Sequence, residues 1–116
     1  MPVSIKYPFV VTAQLPPGWS KLGESMLDTI NALVLDGDLE PEFEISTLKE
    51  LHGELHVVHN SDTPIVKNLV TGYRKQAAAT CQNCGLHPAA LHKRVNWVRT
   101  MCRECAAAGS YSIVLT

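Results

Sequence analysis

Four cysteines arranged as two CxxC pairs constrain this chain more than any other feature of its sequence. Cys81 and Cys84 form the first pair, Cys102 and Cys105 form the second, and 17 residues separate the two pairs. This spacing matches the C-x2-C-x15–20-C-x2-C pattern of zinc ribbons. Four thiolates complete the tetrahedral shell of Zn2+ and leave no position open for a substrate, so we expect a structural site. Gly85 can supply the positive φ that such a turn needs.

Length and composition favour a metal site over disulfides. The chain has 116 residues, 46% of them hydrophobic and 6% aromatic, which suits one small globular unit that a metal would help to stabilise. The N-terminal segment lacks the basic and long apolar regions of a secretory signal, and no stretch is long enough to span a membrane. We therefore expect a cytoplasmic location, where paired CxxC motifs bind metals more often than they form disulfides or redox centres.

The N-terminal third predicts an extended segment followed by a helix. Residues 3–12 are rich in β-branched residues, but Pro8 confines them to an edge strand or an extended arm. From Trp19 to about Leu35, apolar residues recur at three- and four-residue spacing, which indicates an amphipathic helix. Gly37 provides the stop signal after it.

A β-hairpin and a second helix are predicted next. Residues 42–48 alternate polar and apolar side chains, residues 54–60 are again β-prone, and Gly53 favours a turn between them. Ser61, Asp62 or Thr63 can cap a helix that begins with Pro64 in its first turn and runs to about Ala79. Its apolar stripe consists of Ile65, Val66, Leu69, Val70, Tyr73 and Ala77.

These elements define an α+β fold. We expect a helix, β-hairpin, helix body over residues 1–80 and a C-terminal four-cysteine zinc ribbon over residues 81–116, packed together as one compact domain. The β-prone tail YSIVLT, which starts at Tyr111, can add an edge strand to the ribbon.

The same order of segments resembles a group of small, largely uncharacterised bacterial and phage proteins. Their shared pattern reads roughly GW, then KEKFGGLR, then CExCGxPG, a tryptophan and TLCDxC. The matching positions are Gly18, Trp19, Lys49, Glu50, Gly53, Leu55, Cys81, Cys84, Gly85, Pro88, Trp97, Thr100, Cys102 and Cys105. The chain departs from the pattern around the hairpin turn, at His52, Glu54 and His56. The resemblance implies the fold and the metal site, and it implies no reaction.

Charge is segregated between the two halves of the chain. Residues 1–62 contain three lysines against ten acidic residues, a net charge of −7, whereas residues 63–116 contain seven basic residues against one acidic residue, a net charge of +6. Such asymmetry favours a charged macromolecular partner or a homodimer that sets unlike halves together. The alternative is a monomer in which the halves neutralise each other.

The best candidate contact surface combines cations with a tryptophan. Its residues are Lys93, Arg94, Trp97, Arg99 and Arg103. If residues 93–100 form a single strand, Trp97 lies between Lys93 and Arg99 on one face, an arrangement that suits nucleic acid. The alternative is that Trp97 packs the ribbon against the body.

Histidines add weaker candidates for metal binding. His87 and His92 lie between the CxxC pairs, but with four cysteines present we expect them to be surface residues of the ribbon loop. His52 and His56 have the spacing of a metalloprotease HExxH motif, but Glu54 is displaced by one position and Gly53 favours a turn over the required helix. We expect a polar sheet face there, with a weak surface site as the alternative.

No motif in the sequence predicts an enzyme. A nucleophile elbow, a P-loop, a dinucleotide fingerprint and the deaminase pattern are all missing from the sequence. We therefore expect a non-catalytic zinc-binding protein of bacterial or phage type that recognises a protein in an accessory or inhibitory role. The alternative is a nucleic-acid-binding zinc ribbon that uses the basic half of the chain.

Overall fold

The computed structural model describes residues 15–39, 43, 45–60 and 62–114. The elements are α1 (Ser20–Leu35), β1 (Ile45–Leu51), β2 (Glu54–His59), α2 (Pro64–Ala78), β3 (Ala90–Arg94), β4 (Trp97–Met101), α3 (Arg103–Ala108) and β5 (Ser112–Ile113). This order confirms the predicted α+β class, with a helix, hairpin, helix body and a small ribbon. The extended segment predicted at residues 3–12 lies outside the described ranges.

Helix α1 forms the centre of the body's core. A 3-10 turn at Pro17–Trp19 leads into it, and the side chains of Trp19, Met26 and Ile30 are fully buried. The helix ends as predicted, because Gly37 adopts a φ of 82° and its N–H donates to the carbonyl oxygen of Val34 at 3.2 Å.

The predicted hairpin is present, with its first strand displaced along the chain. β1 continues to Leu51, three residues beyond the predicted end, and Glu42 and Glu44 lie outside the described residues. Leu51 pairs with Glu54 across a two-residue turn formed by His52 and Gly53. Both turn residues have positive φ, 51° and 84°, which identifies the type I′ geometry that matches the twist of the strands.

Helix α2 completes the body by packing against both β2 and α1. Val66, Val70 and Ala77 of its apolar stripe are buried, as the spacing predicts. Ile65 contradicts the prediction, because it lies on the outer side of the first turn and is 46% exposed. The tyrosine of the stripe, Tyr73, contacts α1, and its hydroxyl oxygen lies 2.8 Å from the hydroxyl oxygen of Ser25.

The ribbon is a three-stranded antiparallel sheet with the strand order β4-β3-β5. The prediction of one strand over residues 93–100 is wrong, because the chain turns at Val95 and Asn96 and Arg94 pairs with Trp97. The tail does add an edge strand, since β5 pairs with β3. Helix α3, which follows Cys102, was not predicted.

Body and ribbon each have an apolar cluster, and they meet along the chain that enters the first CxxC pair. The indole nitrogen of Trp19 donates to the carbonyl oxygen of Thr80 at 2.8 Å. The backbone N–H of Gly18 donates to the carbonyl oxygen of Gln82 at 2.7 Å. None of the helices described here is both long enough and apolar enough to cross a bilayer.

Candidate metal centre and ribbon surface

The four cysteine sulfurs lie together at one end of the ribbon. The Sγ atoms of Cys81, Cys84, Cys102 and Cys105 all lie within 4.8 Å of one another, and those of Cys84 and Cys102 are 3.6 Å apart. Four sulfurs bonded tetrahedrally to zinc at about 2.3 Å would lie about 3.8 Å apart. The side chains therefore enclose a space that fits one ion, and these residues can hold a metal.

The first cysteine pair lies on a tight loop between α2 and β3. The N–H of Cys81 donates to the carbonyl oxygen of Leu86 at 2.8 Å, and that of Gly85 donates to the carbonyl oxygen of Cys81 at 2.9 Å. Gly85 has a φ of 80°, which only glycine adopts at little cost. The loop brings both sulfurs close to those of the second pair, and Cys81 is buried whereas Cys84 is exposed.

The second pair is positioned by the junction of β4 and α3. Cys102 follows the last residue of β4 and occupies the N-cap of α3, where its sulfur accepts a hydrogen bond from the backbone N–H of Cys105 at 3.5 Å. The side-chain amide of Asn83 donates to the sulfur of Cys105 at 3.4 Å and so links the two pairs. The short helix that sequence reasoning missed therefore orients half of the ligand set.

The clustered thiols cannot all ionise without a cation. Burial raises the pKa of Cys81, but backbone hydrogen bonds from Cys102, Cys84 and Asn83 outweigh it and lower the pKa to about 6. At Cys102 a backbone hydrogen bond from Cys105 lowers the pKa, but burial and the neighbouring thiols outweigh it and raise the pKa to about 12. One thiolate forms readily and opposes the next, so a bound dication is needed to hold four.

The histidines of the ribbon do not join this cluster. His92 was expected on the surface, but it is buried in β3 and its Nδ1 lies 2.8 Å from the carbonyl oxygen of Ala90. His87 is exposed, as expected. Within the described ranges, the four cysteines form the one group of potential ligands close enough to share an ion.

The HExxH-like segment adopts the predicted turn and strand. His52 occupies the turn between β1 and β2, whereas His56 lies within β2 opposite Lys49. The helix that would bring both imidazoles to one ion is therefore replaced by a hairpin.

A polar network joins the hairpin to the ribbon, and sequence reasoning missed it. Gln82, between the first two cysteines, is fully buried; its Nε2 donates to a carboxylate oxygen of Glu50 at 3.2 Å. The side-chain Oε1 of Gln82 accepts from the backbone N–H of Thr100 at 2.6 Å, and the backbone N–H of Gln82 donates to the carbonyl oxygen of Thr100 at 2.8 Å. The hydroxyl of Thr100 donates to the carbonyl oxygen of Gly53 at 2.6 Å. No sequence motif marks Gln82, because its role depends on tertiary contacts.

The predicted partner-binding residues divide between faces of the ribbon. Residues opposite each other in an antiparallel pair share a face, and alternate residues along a strand do so as well. Arg94 pairs with Trp97, so Arg94, Trp97 and Arg99 emerge on one face. Lys93 emerges on the other face, and Arg103 lies at the exposed start of α3.

Of these residues, Arg94 already has a structural role. Its Nη1 donates to the carbonyl oxygen of Gly109 at 2.9 Å, and its guanidinium lies 5.0 Å from the centre of the Tyr111 ring. These contacts fix the turn after α3 to β3. Arg94 thus contributes to the ribbon's own packing.

Trp97 does not pack the ribbon against the body; Trp19 occupies the buried core instead. Trp97 is 67% exposed, beside Val95 at 86% and near Leu51 at 40%. We call Leu51, Val95 and Trp97 the tip patch. Val95 has a φ of 55°, which is strained for a β-branched residue.

A groove of about 630 Å³ runs beside the tip patch, between the two hairpins. One wall comes from the β1–β2 turn and the other from β4 and the turn before it. Its lining residues are Glu50, Leu51, His52, Asn96, Trp97, Val98 and Arg99.

Comparisons with known proteins add no relative to this description. No family model matches the chain, and no curated protein or solved structure matches it significantly. The functional proposal therefore rests on the geometry of the cysteine cluster and of the ribbon surface.

Proposed function

We propose that this protein is a non-catalytic recognition module of bacterial or phage type, in which a structural zinc ion holds a ribbon that presents the tip patch to a protein partner. It acts in the cytoplasm as an accessory protein or inhibitor. The binding energy comes from the ribbon surface, and the metal keeps that surface in shape.

The ligand set supports zinc as the metal. Four soft thiolates in a tetrahedral arrangement suit Zn2+ better than oxygen-preferring cations such as Mg2+ or Ca2+. Their sulfurs fill its coordination shell, so the ion has no position at which to activate water or a substrate. A saturated ion of this kind supports a structural role.

Exposure of Trp97 is the observation that carries the proposal. Tryptophan supplies a large share of binding energy at protein interfaces when it enters a pocket on the partner. Here it lies at the end of the β3–β4 hairpin with the exposed Val95, and the exposed Leu51 at the end of β1 lines the same groove as Trp97. Val95 is also held at a φ of 55°, which the first position of this two-residue hairpin turn requires and which is strained for valine.

Affinity capture from a nuclease-treated bacterial lysate, followed by binding measurements on the purified partner, tests this proposal. We expect the zinc-loaded chain to bind its partner stoichiometrically. Trp97→Ala should weaken the affinity at least about thirtyfold, as loss of an interface hot spot does. Leu35→Ala, which truncates an apolar side chain that is similarly exposed but lies on α1, should leave the affinity unchanged. Equal affinity of wild type and a folded Trp97→Ala variant would refute recognition through the tip patch.

Nucleic acid is the second candidate partner, favoured by the shared face of Arg94, Trp97 and Arg99. An aromatic side chain beside cations can stack on a base while the cations contact phosphates. Because phosphate contacts release counterions, such binding should weaken steeply as salt is raised. Titrations with duplex and single-stranded oligonucleotides at about 50 mM salt decide, since absence of binding there removes this candidate.

A further inference from the structure

The outer edge of β4 has backbone groups that no strand pairs with in the described sheet. β4 is an edge strand, with β3 on one side only. Both backbone groups of Thr100 bond to Gln82, which lies away from β3. Because hydrogen-bonding direction alternates along an antiparallel strand, the N–H and C=O of Val98, two residues earlier, point the same way.

This free edge opens into the groove beside the tip patch. Gln82 occupies the position of a neighbouring strand at Thr100, because it bonds to both the N–H and the C=O of that residue. Among the described residues, none occupies the corresponding position at Val98, which instead lines the groove together with Trp97 and Leu51. An extended chain in the groove would therefore meet one unpaired backbone position flanked by apolar side chains.

One cation and one carboxylate line the groove, and they are engaged differently. Arg99 lines it and is partly exposed. Glu50 lines it too and keeps its negative charge, but one carboxylate oxygen lies 3.2 Å from Nε2 of Gln82 in the ribbon, and the other lies 3.5 Å from the backbone nitrogen of Gly53 in the β1–β2 turn. A ligand carboxylate beside Arg99 would thus form an ion pair, and the carboxylate of Glu50 would remain bonded to Gln82 and Gly53.

We propose that the groove binds an extended, acidic peptide segment by strand addition to β4, an inference that rests on the proposed function and specifies the partner's chemistry. The peptide backbone pairs with the N–H and C=O of Val98. Main-chain hydrogen bonds supply affinity, and alternate side chains supply specificity.

The register of the sheet determines where the peptide's side chains go. The peptide residue opposite Val98 projects on the face of the β1–β2 turn, because the hydroxyl of Thr100 on that face bonds to Gly53. It is apolar and lies against Leu51. Its two neighbours project on the opposite face, an apolar residue beside Trp97 and an aspartate or glutamate beside Arg99.

Selection of displayed random octapeptides on the zinc-loaded chain, followed by affinity measurements on a selected peptide, tests the proposal. Selected peptides should share an acidic, apolar, apolar triplet read from the N-terminus, because a peptide antiparallel to β4 places the first of these residues beside Arg99 and the third beside Trp97. Selection on Arg99→Glu should replace the acid with a lysine or arginine. Single N-methyl groups placed along the peptide should weaken binding about fivefold to tenfold at the residue paired with Val98, and little at its two neighbours, because only the paired N–H faces β4.

Val98→Pro makes the matching change in the protein. It removes an N–H that β3 does not use, which edge strands tolerate, and we expect an affinity loss of about tenfold, against less than threefold for Val98→Ala. If Val98→Pro does not fold, the N-methyl scan decides alone.

Strand addition is overturned, with the proposed function intact, if Trp97→Ala abolishes peptide binding while the N-methyl scan is flat. Both proposals fail if Trp97→Ala and wild type bind the selected peptides equally. An edge occupied by a second copy of this chain would also overturn the peptide assignment, and light scattering would show it as a dimer that Val98→Pro converts to monomer.

Discussion

Gly18 shows how closely the body approaches the ribbon at the scale of a single residue. A Cβ at this position would overlap the carbonyl oxygen of Cys81 and would lie 2.7 Å from the backbone N of Gly85. Those atoms belong to the metal-binding loop and cannot move aside without displacing the cysteines. Gly18→Ala should therefore lower the free energy of unfolding by about 3 kcal/mol, measured by urea denaturation.

Gly72 provides the control for that substitution. It lies inside α2, and a Cβ there would meet nothing within 4 Å. Gly72→Ala should raise the free energy of unfolding by about 0.5–1 kcal/mol, because alanine favours the helix. Similar effects of the two substitutions would contradict the close approach at Gly18.

Gln82 is a second residue whose effect can be isolated. Gln82→Met keeps the approximate volume but leaves the Thr100 N–H and the Glu50 carboxylate without their partner, so we expect a loss of about 2 kcal/mol or more in unfolding free energy. Gln76→Met, at an exposed site on α2, should change it by less than about 0.5 kcal/mol. A thermal or urea unfolding series on both variants checks this difference, and equal stabilities would rule out the network as a structural joint.

At the scale of elements, the β3–β4 turn places the exposed Val95 at a strained backbone position, which lowers the stability of the fold. Val95→Gly removes the positive-φ strain and should stabilise the fold by about 1 kcal/mol while weakening partner binding. Val58→Gly, the same change at an exposed site within β2, should instead destabilise the fold by about 1 kcal/mol. Unfolding curves for the two variants should shift in opposite directions, and a destabilised Val95→Gly would remove the evidence for strain.

The same turn marks the limit of what the sequence could predict. Both long helices, the first hairpin and the four cysteines follow from periodicity, turn residues and spacing. The ribbon hairpin was missed because valine at position 95 disfavours positive φ and only Asn96 suggests a turn. Helix α3 is too short for periodicity to reveal, and the burial of His92 depends on its neighbours in the sheet.

Several of the positions that carry the resemblance to small bacterial and phage proteins lie where the body contacts the ribbon. Gly18 and Trp19 contact the loop that leads into the cysteines, while Glu50, Gly53 and Thr100 belong to the network around Gln82. Trp97 differs from them, since it is exposed at the tip patch. Packing therefore explains Gly18, Trp19, Glu50, Gly53 and Thr100, whereas Trp97, like Lys49 and Pro88, is exposed.

For the whole molecule, the segregated charge predicts self-association. The halves carry −7 and +6, and a twofold dimer could set the acidic half of one copy against the basic half of the other. Charge pairs at a surface are screened over about 8 Å at physiological salt, so we expect a dimer at low salt that dissociates as salt rises. Light scattering across a salt series measures this, and a monomer mass at every concentration would contradict it.

A structural zinc ion at the four cysteines, as we propose, would determine whether the ribbon keeps its shape. Structural zinc contributes on the order of 10 kcal/mol to domains of this kind, comparable to the stability of a whole domain. Without it, no metal–sulfur bonds would join the two cysteine loops that position Gln82 and the start of α3. We therefore expect recognition through the tip patch to depend on occupancy of the site.

The zinc-to-protein ratio after exhaustive dialysis under reducing conditions tests the account most directly. We predict one zinc per chain for the wild type and for Ala108→Ser, an exposed change at the end of α3. Cys84→Ser, which removes one ligand, should lose most of its zinc and unfold the ribbon. A wild-type chain that folds without zinc, or a Cys84→Ser variant that retains its full complement, would contradict the account.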